Sequence, residues 1–135
     1  RSSAASDVYK RQPCNLGFVL KSILKPKYYR SFIGQKELYD SLEPQISGLD
    51  GDITLFAVSS EARGHGIGKN LIEQLYSHFR RHKVKRIYVL TDNMCTYEFY
   101  EKQGFERTRT GSIEIIRNNK PFVLEAYRYE KDLEY

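Results

Sequence analysis

Three alternating glycines stand where an apolar run gives way to an amphipathic segment. They are Gly64, Gly66 and Gly68, and they follow the apolar residues at 53–58. The first turn of a helix has about four backbone N–H groups without a partner and carries a partial positive charge. Because glycine has no Cβ, the main chain can approach an anion closely there, and phosphate is the usual anion at such a site. The segment therefore predicts that main-chain groups bind a phosphate-bearing cofactor.

Two common phosphate-binding motifs fit this loop poorly. A dinucleotide-binding loop has the pattern G-x-G-x-x-G directly after a strand, whereas here the spacing is G-x-G-x-G and residues 59–63 intervene. Asp92 does end the next predicted strand, as a ribose-binding acid would, so a Rossmann-type nucleotide-cofactor protein stays open as an alternative. A Walker-type loop needs one more residue between its glycines and a hydroxyl at the position of Asn70.

A third pattern, R-x-x-G-x-G, is formed by Arg63, Gly66 and Gly68. It resembles the pyrophosphate loop of the GNAT-type N-acetyltransferases, which use acetyl-CoA. Residues 92–105 resemble a second element of that superfamily, N-x-x-A-x-x-F-Y-x-K-x-G-F, and Thr96 departs from its usual alanine. The residues that match are Asn93, Phe99, Tyr100, Lys102, Gly104 and Phe105. The two elements occur in the family's order, and the resemblance covers roughly residues 52–129.

The resemblance implies an α/β fold: a GNAT-like mixed, mostly antiparallel twisted sheet with flanking helices, which misses its N-terminal strand or strands. Acetyl-CoA would lie between two central strands that splay apart, here residues 52–59 and 84–91. The backbone of Ala57 and Val58 would pair with the pantetheine arm and direct one N–H at the thioester oxygen. The residues implied to surround the pyrophosphate are Arg63, Gly64, His65, Gly66, Ile67, Gly68 and Lys69.

Several of these residues have a second interpretation. Arg63 is either a direct charge partner of the pyrophosphate or an anchor of the loop, and His65 is expected to be an exposed spacer rather than a base. Tyr100 matches the family's general acid, because a phenol keeps its proton at neutral pH and can give it to a departing thiolate. Alternatively, Tyr100 is an aromatic residue that only packs in the core. Asn93 would bind the pantetheine arm or else cap a helix.

The general base is the remaining catalytic role. Asp52 starts a predicted strand at the position where one branch of the family carries a glutamate, so it is the candidate base. Alternatively, Asp52 is only a surface carboxylate at the end of a strand, and a relayed water acts as the base. The predicted reaction is direct transfer of an acetyl group from acetyl-CoA to a primary amine in a ternary complex, without a metal. The acceptor stays open, from a small molecule to a peptide. Instead of an enzyme, the protein could have a different kind of function, as a non-catalytic acyl-CoA-binding or regulatory domain.

The elements that must position these residues follow a β-α-β-α-β-β order, preceded by helical segments. They are a helix over 28–42, strands over 52–59 and 84–91, a helix over 66–82, a helix that Asp92 or Asn93 caps and that Gly104 ends as a left-handed residue, and strands over 105–116 and 122–129 joined by residues 117–121. In the helix over 66–82, the spacing of Ile67, Leu71, Leu75 and Phe79 predicts one buried stripe. Further upstream, the residues that share one helical face are Leu20, Ile23 and Leu24. The order indicates an α/β domain with a mixed sheet.

Composition limits the remaining possibilities. The 135 residues are 40% hydrophobic and carry a formal net charge of +5, which suits one domain. The one basic cluster, residues 80–83, lies at a predicted helix end and is interpreted as a solvated cap, so no nucleic-acid partner is indicated. Residues 1–12 resemble the translation of a sequencing adaptor, so we expect a non-native segment followed by a single, N-terminally truncated domain over 13–135. Cys14 and Cys95 lack a metal-binding spacing, and a reducing cytoplasm is expected. No apolar run approaches the ~18 residues that span a membrane, and a homodimer is compatible with the sequence.

Overall fold

Four strands, three α-helices and one 3-10 turn lie in the part of the chain that the computed structural model describes, residues 25–45, 48–54 and 56–133. In chain order they are α1 (Pro26–Leu42), β1 (Gly51–Asp52), a 3-10 turn (Ser60–Ala62), α2 (Ile67–Arg81), β2 (Arg86–Asp92), α3 (Glu98–Lys102), β3 (Glu106–Arg117) and β4 (Lys120–Asp132). The predicted segment 1–12 and the helical face of Leu20, Ile23 and Leu24 lie outside the described residues.

The sheet has the strand order β1-β2-β4-β3. β1 runs parallel to β2, whereas β4 is antiparallel to both of its neighbours, β2 and β3. This arrangement confirms the predicted α/β fold with a mixed, mostly antiparallel sheet. A doubly wound Rossmann sheet is built from parallel strands, so the sheet argues against the nucleotide-cofactor alternative. None of the described helices combines the length and the apolar character needed to cross a membrane.

β3 and β4 form a hairpin whose connection is shorter than predicted. Only Asn118 and Asn119 lie between the strands, and both have left-handed backbone, with φ of 51° and 61°. A two-residue loop with positive φ at both positions follows the right-handed twist of the strands, and asparagine tolerates this backbone better than most residues. Pro121, predicted in the loop, pairs with Ile116 inside the ladder. Pro121 lies in the part of β4 that extends beyond β2. No residue of β2 therefore loses a hydrogen bond because proline has no N–H.

The helices cover both faces of the sheet. α1 packs on one face so closely that a Cβ on Gly111 of β3 would lie 2.5 Å from a methyl of Leu38. α2 and α3 pack on the other face, where side chains of β2 and β4 meet them in the core. The buried residues of this core are Ile53, Ile72, Tyr76, Ile87, Val89, Tyr100, Phe105, Tyr127, Tyr129 and Leu133. Aromatic rings fill much of this layer, and they surround the end of α3.

The predicted buried stripe of α2 is wrong in its first half. Ile67 and Leu71 are 39% and 42% exposed, whereas Ile72 and Tyr76 are buried. Residues spaced by four advance about 40° around a helix of 3.6 residues per turn, so a stripe of four-residue steps winds away from the sheet. Its last members, Leu75 and Phe79, are the ones that pack against the core.

Substituting Ile72 and Leu71 separately tests this assignment. We expect Ile72→Ala to lower the free energy of unfolding by about 2–5 kcal/mol, because a fully buried side chain leaves a cavity. Leu71→Ala removes a similar volume from a half-exposed position and should cost well under that amount. Urea denaturation followed by circular dichroism measures both values, and equal losses would contradict the orientation of α2 described here.

Candidate active site

β1 and β2 stop pairing after two residues, which opens the sheet beside α2. Just beyond β1, the Ile53 N–H donates to the Tyr88 carbonyl oxygen at 2.9 Å. The predicted strand over 52–59 is therefore too long. Of its apolar residues, Phe56 packs instead on α3, where its ring stacks on Phe99 with centroids 5.2 Å apart. An apolar run predicts burial, but only a neighbour at the right distance makes it a strand.

The glycine loop reaches α2 with left-handed backbone at two positions. Gly64 and Gly66 have φ of 80° and 73°, and Gly66 is the N-cap residue of α2. A Cβ built on either glycine would meet nothing within 4 Å, so the space in front of the loop is open. No side chain caps α2 and no acidic residue stands in its first turn. The first-turn amides, from Ile67 to Lys69, therefore suit an anion.

Gly68 has a different role from the two loop glycines. A Cβ there would touch the Phe99 ring at 3.4 Å and a methyl of Val58 at 3.7 Å. Because Gly68 has no side chain, the first turn of α2 can lie close to α3 and to the segment after β1. These three parts of the chain thus converge at Gly68.

Arg63 anchors the loop to that same segment. Its Nε donates to the Val58 carbonyl oxygen at 3.3 Å. This contact corresponds to the loop-anchor interpretation, and the alternative of a direct charge partner stays a prediction. Ala57, His65 and Lys69 are exposed around the loop.

Asp92 does not cap α3, contrary to one prediction. Its Oδ1 accepts the Met94 N–H at 2.8 Å, which closes a turn directly after β2. Its other carboxylate oxygen accepts the hydroxyl of Tyr39, which ties α1 to this turn. α3 begins later, at Glu98, and its N-cap residue Tyr97 makes no capping side-chain bond. Because Asp92 is buried and both its oxygens have partners in this chain, it is not placed as a ribose-binding acid would be.

Asn93 does not cap α3 either. Its Nδ2 donates to the Val123 carbonyl oxygen at 3.0 Å, and its Oδ1 accepts the Glu125 N–H at 3.2 Å. The Asn93 N–H donates to the Glu125 carbonyl oxygen as well. The amide side chain therefore continues the contact between β2 and β4 by one residue. Its predicted contact with the pantetheine arm is untested.

Tyr100 lies at the centre of the aromatic layer, 7% exposed. Its ring meets Phe105 edge to face at 5.5 Å and stacks on Tyr129 at 6.1 Å. Gly104 ends α3 in left-handed conformation, as predicted, and the Phe105 N–H donates to the Tyr100 carbonyl oxygen at 3.0 Å. This C-terminal motif places Phe105 against the ring of Tyr100.

Burial, and then the neighbouring Cys95, raise the pKa of the Tyr100 hydroxyl above its ordinary value. The phenol therefore holds its proton at neutral pH and can act as a donor. Burial also raises the pKa of the Cys95 thiol, followed by the charge of Asp92. Sequence reasoning noted only that Cys95 lacks a metal-binding spacing, because its place beside Tyr100 depends on the turn after β2.

Asp52 lies on the opposite face of the sheet from Tyr100. It pairs in register with Tyr88, and its Oδ2 accepts the Thr54 hydroxyl at 2.8 Å. The Tyr88 hydroxyl donates to Glu43 Oε2 at 2.8 Å. Burial, followed by the hydrogen bond and charge of Glu43, raises the pKa of Tyr88 to about 12. Sequence reasoning missed Tyr88 and Glu43. Strand register places Tyr88 beside Asp52, and the end of α1 places Glu43 at the Tyr88 hydroxyl.

Comparison with known proteins gives the same fold. The sequence model of the acetyltransferase (GNAT) family matches residues 23–105. The chain resembles an IAA acetyltransferase from Bacillus cereus ATCC 14579 with a TM-score of 0.51 and 22% identity, over 67% of this chain and 65% of that one. It resembles the ribosomal-protein-S18-alanine N-acetyltransferase from Escherichia coli with a TM-score of 0.53 and 16% identity, over 65% of this chain and 57% of that one.

The chain thus spans somewhat less than two thirds of the length of either solved structure. No curated protein matches it significantly. The family match covers more than half of the chain and includes the glycine loop and Tyr100. The resemblance inferred from the two sequence elements is therefore confirmed, and the chain belongs to the acetyltransferase (GNAT) family.

Proposed function

We propose that this protein is an acyltransferase that transfers an acetyl group from acetyl-CoA directly to a primary amine in a ternary complex. The observation that carries the proposal is the uncapped start of α2, which faces open space beside the divergence of β1 and β2. Membership of the family supports the same donor. The activity as a whole is a proposal, because the chain covers only part of the length of its solved relatives.

The residues at this opening fit the chemistry of acetyl-CoA. The pyrophosphate is an anion, and the loop offers main-chain amides, two left-handed glycines and no acidic side chain in the first turn of α2. The residues that would hold this part are Arg63, Gly64, His65, Gly66, Ile67, Gly68 and Lys69. The pantetheine arm would meet the main chain of Ala57 and Val58, where β1 no longer pairs with β2, and the side chain of Asn93.

Acetyl-CoA supplies an acetyl group activated as a thioester. Within the chain, the N–H of Val58 would polarise the thioester carbonyl, since main-chain donors stabilise charge that develops on oxygen. Tyr100 would hold the proton at Oη that the departing thiolate requires. Asp52, next to Tyr88 and Glu43 on the α1 side of the sheet, would take the proton of the attacking amine. Acid and base thus stand on opposite faces of the sheet, which keeps the two proton transfers apart.

The base assignment predicts a modest loss of activity in Asp52→Asn. Asp52 is exposed, so water can replace part of its function, and we expect kcat to fall by about tenfold, or 1.4 kcal/mol. The affinity for CoA should stay unchanged. Asp50→Asn is the matched control, because Asp50 is an exposed aspartate of the same segment. Equal turnover in both variants would leave a relayed water as the base.

A screen of amines tests the function itself. The protein is incubated with acetyl-CoA and a panel of amino acids, polyamines, aminoglycosides and peptides, while released CoA thiol is detected colorimetrically. We expect thiol release with at least one class of amine, and mass spectrometry should find one added acetyl group on that amine. Gly66→Val is run in parallel as the variant with an impaired loop. Tight CoA binding without transfer to any amine would instead favour a non-catalytic acyl-CoA-binding domain.

A further inference from the structure

Arg107 stands at the start of β3 inside a group of tyrosine rings. Its guanidinium carbon lies 4.0 Å from the ring centroid of Tyr127, 5.2 Å from that of Tyr97 and 5.3 Å from that of Tyr129. A guanidinium over aromatic faces is attracted by the ring quadrupoles, more strongly where water is partly excluded. The sequence reasoning assigned no role to this arginine.

The same guanidinium makes directed hydrogen bonds towards α3. Nε and Nη2 donate to the Tyr129 hydroxyl at 2.9 and 2.6 Å, and Nη2 donates to Glu101 Oε1 at 2.8 Å. Tyr129 in turn donates to Glu101 Oε1 at 2.7 Å. Hydrogen bonds from these two donors lower the pKa of the Glu101 carboxyl, so it stays ionised and accepts both.

α3 depends on such support because it is short. It has five residues and no capping side chain at its N-terminus. Isolated helices of this length do not persist in water, so packing must hold this one in place. Arg107 touches Tyr97, the N-cap residue of α3, and binds Glu101 in its last turn. Between them lies Tyr100, whose ring stacks on Tyr129 at 6.1 Å with an interplanar angle of 29°.

We propose that Arg107 is a positioning residue of this enzyme, which holds Tyr100 in place by binding Tyr129, whose ring stacks on Tyr100, and Glu101, the next residue of α3. The inference rests on the proposed role of Tyr100 as proton donor. In the described part of the chain, Arg107 contacts residues of β4 and of α3 with its N-cap, so its effect on turnover is expected to pass through Tyr100.

Hydrogen exchange measured on the whole chain tests the structural half of this inference. In Arg107→Met, which keeps the aliphatic stem, we expect the amides of Gln103, Gly104 and Phe105 to exchange at least tenfold faster. These amides close the end of α3 by donating to carbonyl oxygens at 3.0–3.1 Å. Arg117→Met is the control, since Arg117 also lies over a ring, Phe122, but at the far end of the hairpin. Unchanged exchange at α3 in Arg107→Met would overturn the proposal.

A double-mutant cycle tests the functional half, with the amine found by the screen. Arg107→Met alone should lower kcat by about tenfold and leave CoA affinity intact. In a Tyr100→Phe background the same change should cost almost nothing further, because the proton it positions is already absent. A loss of kcat in the double variant equal to the product of the two single losses would overturn the role of Arg107. Wild-type turnover in Tyr100→Phe alone would remove Tyr100 from the mechanism and this inference with it.

Two further variants keep the test decisive if Arg107→Met does not fold. Tyr129→Phe keeps the ring that stacks on Tyr100 and removes the hydroxyl that Arg107 binds, and Glu101→Gln removes the charge. We expect Tyr129→Phe to show the same pattern, with faster exchange at α3 and a loss of kcat that disappears in the Tyr100→Phe background. Full thermal stability together with unchanged exchange and turnover in both variants would contradict the proposal.

Discussion

Replacing Tyr100 with phenylalanine is expected to lower kcat by roughly a hundredfold to ten-thousandfold, the range that general acids contribute. The ring contacts with Phe105 and Tyr129 survive in this variant, so the aromatic layer should stay packed. The affinity for CoA should change little, because the hydroxyl matters most as charge develops on sulfur in the transition state. The measurement is kcat and the CoA dissociation constant for both proteins.

The pH profile gives the same prediction an independent readout. Burial raises the pKa of Tyr100, so the active, protonated form persists through neutral pH and is lost only above the ordinary tyrosine range of about 10. The wild-type rate should therefore fall on the alkaline side, and that limb should fade in Tyr100→Phe. Tyr29→Phe, at a half-exposed position of α1, serves as the control. Unchanged kcat in Tyr100→Phe would leave water as the proton donor.

Gly66→Val is expected to weaken CoA binding at least tenfold, about 1.4 kcal/mol. Gly66 has φ of 73°, a left-handed backbone that a β-branched residue avoids, and its position at the N-cap sets the direction of the first amides of α2. The new side chain would also project into the open space before the loop, where the phosphate oxygens are expected. Titration calorimetry with CoA measures the change.

Gly48→Val is the matched control for this experiment. Gly48 also has a left-handed φ, 130°, and open space around its missing Cβ, but it lies in the turn before β1. It should share the strain of Gly66→Val without the loss of CoA affinity. Equal losses in both variants would mean that destabilisation alone explains the effect. Tighter binding of NAD than of acetyl-CoA to the unmutated protein would contradict the proposed cofactor.

The sequence by itself determined the features that depend on local backbone chemistry. Gly104 occupies a left-handed position at the end of α3, as predicted, and Gly66 stands at the start of α2, where the glycine loop was predicted to meet a helix. The order of elements and the mixed sheet also followed from periodicity and from the two motifs. Such features are encoded locally, because a glycine without Cβ or an apolar run of a given period has few structural alternatives.

Only the tertiary structure decided which neighbours these elements meet. Phe56 of the apolar run packs on Phe99 and lies outside the strand that was predicted for it, and the face of α2 that is buried is set by the sheet beneath Ile72. Strand register brings Asp52 to Tyr88, and the hairpin brings Arg107 to α3. These contacts join residues far apart in the chain, and their geometry depends on how the layers dock, which no local pattern specifies.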